Sequence, residues 1–310
     1  RPMTATGADQ WTPENRKRME SLLEGPPGQA VFDFDNTLIH GDLGEACMYY
    51  IAFQGLVRAD LDEFWNEIAH PSLSNKTLDR IRASWDRNQA FEDLQAHLEW
   101  VDELLGLYET LVQTAGLEQA YRWTRSLFGN QPEKELRSIA TYVFQDESRM
   151  PVDFEELPSG RKIPRGIRII PEIFQLIQSM LQSGWTVRII TASPEPTIQS
   201  VIQHWNLEEA AVRGMRLKRK DDMLLPYIEE PMTFGPGKVQ AIRELDDRAI
   251  DFAAGDSFTD LDMLRAAGMA LLVDRGKEDL RGLAEQEGFL IQSFEVADPE
   301  GNKDYRPVGH

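Results

Sequence analysis

The run 30–34, Ala-Val-Phe-Asp-Phe, constrains the fold more than any other stretch of this chain. It follows a short helical pattern over 11–24, with Met19, Leu22 and Leu23 on one face, which Gly25-Pro26-Pro27-Gly28 brings to an end. From past Thr37 to about residue 148 the spacing is helical, as in Leu94, Leu98, Val101, Leu104, Leu105 and Tyr108, and no convincing strand interrupts it. A lone apolar strand cannot bury both of its faces, so its neighbours must come from further along the chain.

Those neighbours are expected beyond residue 160. Pro and Gly cluster over 151–160 in a predicted linker, after which strands and helices alternate. The pattern predicts helices over 171–182, 194–205, 236–245 and 260–267, and strands over 186–190, 249–253 and 270–273. The segments 212–217 and 223–228 are expected to pair around 218–222, where the basic run Arg216 to Lys220 meets Asp221 and Asp222 in a solvated turn. Alternation of this kind specifies an α/β fold, a Rossmann-like three-layer α/β/α core with a parallel sheet. The helical stretch becomes an inserted, all-helical cap domain at 46–160, with the core formed by 1–45 and 161–310.

Asp33 and Asp35 stand at the end of the first strand, where like charges about 4 Å apart repel by about 4 kcal/mol at an effective dielectric near 20. That placement costs stability and calls for a cation between them. Three further features recur in order: Thr191 after Val187-Arg188-Ile189-Ile190, Lys238 at a helix start, and Gly255-Asp256-Ser257-Phe258-Thr259-Asp260. Each falls at the C-terminal end of a predicted strand or at a helix start, where open α/β sheets bind their ligands. The arrangement suggests a metal-assisted nucleophile.

In that order, these residues resemble the four motifs of the haloacid dehalogenase-like (HAD) superfamily. The resemblance implies a phosphoric monoester hydrolase in which Asp33 attacks phosphorus and forms an aspartyl-phosphate. Asp35 would protonate the leaving alcohol and later activate water, while Thr191 and Lys238 hold the phosphate. It also implies Mg²⁺ held by Asp33, the main-chain carbonyl of Asp35, and Asp256, with Asp260 supporting the metal waters or orienting Lys238. Asp35 favours phosphate esters, because an alkoxide leaving group needs a proton donor.

An insertion after the first motif is similar to the helical cap of the phosphoserine phosphatase branch. Locally, Trp11-Thr12-Pro13, Asp42-Leu43-Gly44-Glu45 and Phe234-Gly235-Pro236-Gly237-Lys238 are similar to phosphorylcholine phosphatases. The likeness implies a small phosphorylated metabolite, an amino alcohol ester such as phosphocholine or phosphoserine. Glu45 and aromatic rings would meet the trimethylammonium group, or Asp42 the ammonium of phosphoserine. Trp65, Trp85, Trp100, Tyr108, Tyr121 and Trp123 supply candidate rings, although helix packing is the ordinary role for each. A phosphomutase or phosphotransferase using the same nucleophile, and a non-catalytic ligand-binding protein on the same fold, stay open at this level.

A formal net charge of −19 over 310 residues disfavours nucleic acid and anionic membranes as partners. Cys47 stands alone, so no internal disulfide and no thiolate metal cluster forms within the chain. The five histidines show no zinc-ligand spacing, and His40, near the site, reads as incidental to it. No apolar run is long enough to span a bilayer. Neither the compartment, cytoplasmic or, if a leader was removed, periplasmic, nor the oligomeric state is legible. Disorder is expected only at the ends, such as 299–310.

Overall fold

The computed structural model describes residues 9–87 and 93–296, so the expected disorder at 299–310 lies outside the described residues. A sheet of eight strands forms the centre. In spatial order they are Leu290–Gln292, Ala267–Val273, Ile250–Gly255, Gln29–Phe32, Thr186–Pro194, Ala211–Lys220, Met223–Glu229 and Gln131–Pro132. The first six run parallel, and the last two are antiparallel to their neighbours. Gln29–Phe32 sits between Ile250–Gly255 and Thr186–Pro194, buried along its whole length. This explains its unbroken apolar pattern, since helices cover both faces of such a strand.

The predicted hairpin at 212–228 is present and longer at its start, with Asp221 in the left-handed region at φ 54° making its turn. Arg216 pairs with Glu195 and Arg219 with Glu133, which disposes of the basic run within the fold. The predicted helix at 260–267 is shorter, a 3₁₀ turn Phe258–Asp260 running into Leu261–Arg265. The edge strand Leu290–Gln292 and the helix Glu278–Glu287 before it complete the parallel order.

Two short strands interrupt the stretch expected to be purely helical. Ile39–His40 pairs with Arg168–Ile169, and Gln131–Pro132 adds an edge to the central sheet beside Met223–Glu229. Two-residue strands carry no periodicity, so only their partners reveal them. The predicted linker also differs: Asp153–Glu156 and Lys162–Arg165 form an antiparallel hairpin, with Gly160 at φ 86° in its turn. Helices Leu43–Phe53, Leu94–Thr114, Leu117–Trp123 and Glu133–Glu147 lie in the chain between Ile39–His40 and that hairpin. Among the described residues no helix is long and apolar enough to cross a membrane.

Candidate active site

Asp33 follows directly on Gln29–Phe32, and its amide donates to the Ala254 carbonyl at 2.9 Å, extending the pairing between the two central strands by one step. The chain then reverses. The amides of Thr37, Leu38 and Ile39 all donate to the Phe34 carbonyl, and Asn36 takes φ 57° with its side chain accepting the Gly41 amide at 3.0 Å. Asparagine tolerates this left-handed geometry and closes the turn through its own side chain. The turn leaves Asp33 and Asp35 facing one cavity, whose volume is about 600 Å³.

Asp33, Asp35, Thr191, Lys238 and Asp256 all line it, with Thr37 and Asp260 buried behind them. Lys238 Nζ donates to Asp33 at 2.7 Å, to Asp260 at 2.5 Å and to the Ile190 carbonyl at 3.1 Å, with only 1 % of the residue exposed. The Thr37 hydroxyl bridges Asp33 at 3.2 Å and Asp256 at 3.5 Å. Thr191 donates to Asp35 at 3.3 Å. Gly237 lets the approach to Lys238 close, because a Cβ there would collide with the Met232 carbonyl oxygen. Gly255 similarly leaves room for Asp260, which accepts the amides of Asp256 and Ser257, both at 3.1 Å.

Carboxylates of Asp33, Asp256 and Asp260 present oxygens all within 4.8 Å of one another, buried together. Burial first, and Asp260 next, push the Asp33 carboxyl well above its ordinary range, against the pull of Lys238. Burial and Asp260 raise Asp256 likewise. Burial works against the charge on Lys238, but Asp260 and Asp33 outweigh it and hold the amine protonated. Closely set hard oxygen donors with surplus negative charge fit a small divalent cation such as Mg²⁺.

Asp35 is held on both oxygens. The Leu43 amide, at the N-terminus of Leu43–Phe53, donates at 2.8 Å, and Ser193 donates at 2.6 Å. Gly44 admits that serine, since a Cβ at 44 would meet its Oγ. Burial and then Asp42 nevertheless push Asp35 well above the ordinary carboxylate range. Neither Ser193 nor Arg275, which donates to Asp256 at 3.2 Å, was singled out in the sequence. Arg275 follows the predicted strand at 270–273, so its position at a strand's C-terminal end was the available signal.

Asp42 and Glu45 line the same cavity. Asp42 caps Leu43–Phe53 by accepting the Glu45 amide at 2.7 Å, while Glu45 accepts from Tyr108 at 3.3 Å and Tyr49 at 3.4 Å. Of the candidate rings, Tyr108 and Tyr121 reach the cavity, joined by Tyr49. The tryptophans are packed in the helices instead: Trp65 donates to Ala59, Trp123 to Ile68, and Trp85 meets Trp100 at 4.8 Å between centroids. His40 also lines the cavity, and burial with Arg275 and Arg168 lowers it to about 4, leaving it neutral at pH 7.

Burial, then Glu45, raise Asp42 from 3.8 to about 7. Between those values the native state holds more protons than the unfolded chain, so this group costs increasing stability as pH rises, up to a plateau above about 7. Asp42→Asn keeps the capping oxygen and removes the charge. The variant is expected to be more stable than the parent at about pH 8, by about 1–3 kcal/mol, with the gain fading below about pH 4. Thermal melts across that range check it; an unchanged difference with pH would refute it.

Comparison with known proteins bears on the same residues. A family model described as haloacid dehalogenase-like hydrolase matches residues 153–265, which include Thr191, Lys238, Asp256 and Asp260. No curated protein matches the chain in sequence. Among solved structures, a conserved functionally unknown protein from Anaerococcus prevotii DSM 20548 has TM-score 0.76 at 20% identity, covering 92% of this chain and 93% of that one. A protein with unknown function from Bordetella pertussis Tohama I has TM-score 0.57 at 16% identity, covering 86% and 99%. These two likenesses show a shared fold. Asp33 and Asp35 lie outside the matched segment, yet the structure seats them among its motif residues at the ends of adjoining parallel strands. Over residues 153–265 the chain is similar to the haloacid dehalogenase-like hydrolases, and the rest of the fold completes the site around that segment.

Proposed function

We propose that the chain is a Mg²⁺-dependent phosphatase acting on a small phosphate monoester whose alcohol carries a cationic nitrogen. One observation carries the reading: Asp33, pinned by Lys238 and Thr37, faces the cavity beside a second carboxylate, Asp35, whose pKa burial pushes up. An Asp33 oxygen attacks phosphorus, the bond to the alcohol oxygen breaks, and the Asp35 proton passes to that oxygen. Asp35, now a base, takes a proton from water, which attacks the phosphorus and releases phosphate from Asp33. Lys238 and the Thr191 hydroxyl offer hydrogen bonds to the phosphoryl oxygens.

Asp33, the Asp35 main-chain carbonyl and Asp256 would hold the cation, with Asp260 orienting Lys238. When bound, Mg²⁺ supplies positive charge that lets an anionic nucleophile approach an anionic ester. Asp42 and Glu45, with Tyr49, Tyr108 and Tyr121, form an acidic, aromatic wall suited to an ammonium group. In this reading 46–160 is the cap over a core of 1–45 and 161–310.

The test is phosphate release from phosphocholine, phosphoserine, phosphoethanolamine, sugar phosphates and p-nitrophenyl phosphate. Turnover is expected with millimolar Mg²⁺ and is expected to vanish with EDTA. Added Mg²⁺ alone should raise the melting temperature, because binding the native state selectively stabilises it. Release unaffected by EDTA would defeat the metal assignment, and no release from any ester would defeat the phosphatase reading. Preference for sugar phosphates over the amino alcohols would defeat the role given to Asp42 and Glu45.

A further inference from the structure

Among the described residues the hairpin of Asp153–Glu156 and Lys162–Arg165 forms a sheet only with itself, yet Val152, Phe154, Arg161 and Ile163 line the cavity along with Leu105 and Tyr108. Something outside its own strands must fix it there. At its base, Glu147 accepts from Arg165 at 2.8 Å and from the Gly166 amide at 2.7 Å. At its tip the anchor is Asp102, a buried carboxylate in the middle of Leu94–Thr114 that plays no part in the chemistry above. Asp102 accepts from the Ser159 amide at 2.7 Å, the Ser159 hydroxyl at 2.8 Å and Arg161 Nε at 2.8 Å. Burial opposes the charge on Asp102, but these donors outweigh it and hold the carboxyl below its ordinary value.

The helix is shaped to receive the tip. Gly106 stands one turn beyond Asp102, where a glycine in a helix interior is unfavourable in itself. A Cβ at 106 would come within 3.1 Å of Arg161 Nη2, so the missing side chain makes room for the guanidinium. Glu109, two turns from Asp102, completes the seat by pairing with Arg161 Nη1. Carboxylate, gap and carboxylate thus follow one face of the helix and match one arginine.

We infer that Asp102 is a specificity-determining positioning residue: by latching Ser159 and Arg161 it holds the 153–165 hairpin as a fixed wall of the substrate cavity and excludes bulky esters. The inference rests on the phosphatase reading for its substrate and on geometry alone for the latch.

Amide hydrogen exchange of the full chain, compared between the parent protein and Asp102→Ala, tests the latch. Exchange over 153–165 is expected to speed up by about 10-fold or more, with Gln29–Phe32 unchanged, since charge-assisted bonds to the tip are lost. For the smallest ester turned over, KM is expected to rise about 10-fold with kcat within about 2-fold, and kcat/KM for 4-methylumbelliferyl phosphate is expected to rise relative to it. Asp102→Asn, which keeps an acceptor oxygen, should fall between. Should Asp102→Ala not fold, Ser159→Ala on the exposed side of the latch carries the same test with a smaller effect. Unchanged exchange over 153–165 would overturn the latch. A fall in kcat with the ester ratio unchanged would overturn the specificity role. If the parent protein hydrolyses no ester, the phosphatase reading and the specificity role fall together, whereas faster exchange in the variant would still support the latch.

Discussion

Asp33→Asn is expected to reduce phosphate release by about 10⁴-fold or more while leaving the fold intact. The amide matches the carboxylate in shape but offers no negative oxygen to phosphorus. Stability should not suffer, because the native Asp33 carboxylate is both desolvated and repelled by Asp260, Asp256 and Asp35. Lys238 keeps its bonds to Asp260 and the Ile190 carbonyl in the variant. Single-turnover assays with denaturation measured on the same preparation check both halves. Retained turnover would remove Asp33 from the nucleophile's place, and an unfolded variant would show that Asp33 serves the fold.

Lys238→Met is expected to cost about 3–5 kcal/mol of stability in addition to activity, the usual result of stripping one partner from a buried ion pair. Methionine is close to the lysine stem in size but leaves Asp33 and Asp260 facing each other without a cation. The second change Asp260→Asn should recover part of that loss and none of the turnover, since the remaining carboxylate then has less to repel. Urea denaturation of the single and double variants measures the coupling. Full additivity would mean that the two side chains do not act as one unit. The contrast between the two sites is instructive: both are buried and charged, but only Lys238 holds like charges together.

Much of the site was legible because its chemistry is written in local patterns. An apolar run ending in Asp33-x-Asp35-x-Thr37 needs no partner to be recognised, nor does Gly255-Asp256 through Asp260 at the end of another strand. Thr191 and Lys238 were legible by their place at a strand end and a helix start. The basic run at 216–220 was likewise readable as a turn, since Asp221 and Asp222 follow it directly.

Other features had no such signature. Ser193 and Leu43 belong to segments far apart in the chain, and their joint hold on Asp35 exists only once strand and helix meet. Tyr49, Tyr108 and Tyr121 cannot be told from packing residues by spacing, because helical periodicity marks a buried face without saying what it is buried against. The segment 151–160, rich in proline and glycine, suggested a linker; its ordered hairpin depends on Asp102 and Glu147, remote carboxylates that meet its arginines.

The sequence by itself therefore determined the α/β class, the order of the motifs and the identity of the acids and the amine at their centre. These follow from short-range periodicity and from chemistry that a few adjacent residues express. Tertiary structure decided which side chains orient those groups, which rings face the cavity, and what forms its outer wall. Such choices depend on distances between residues far apart in the chain, and burial and charge take their value only when folding brings those residues within a few ångströms.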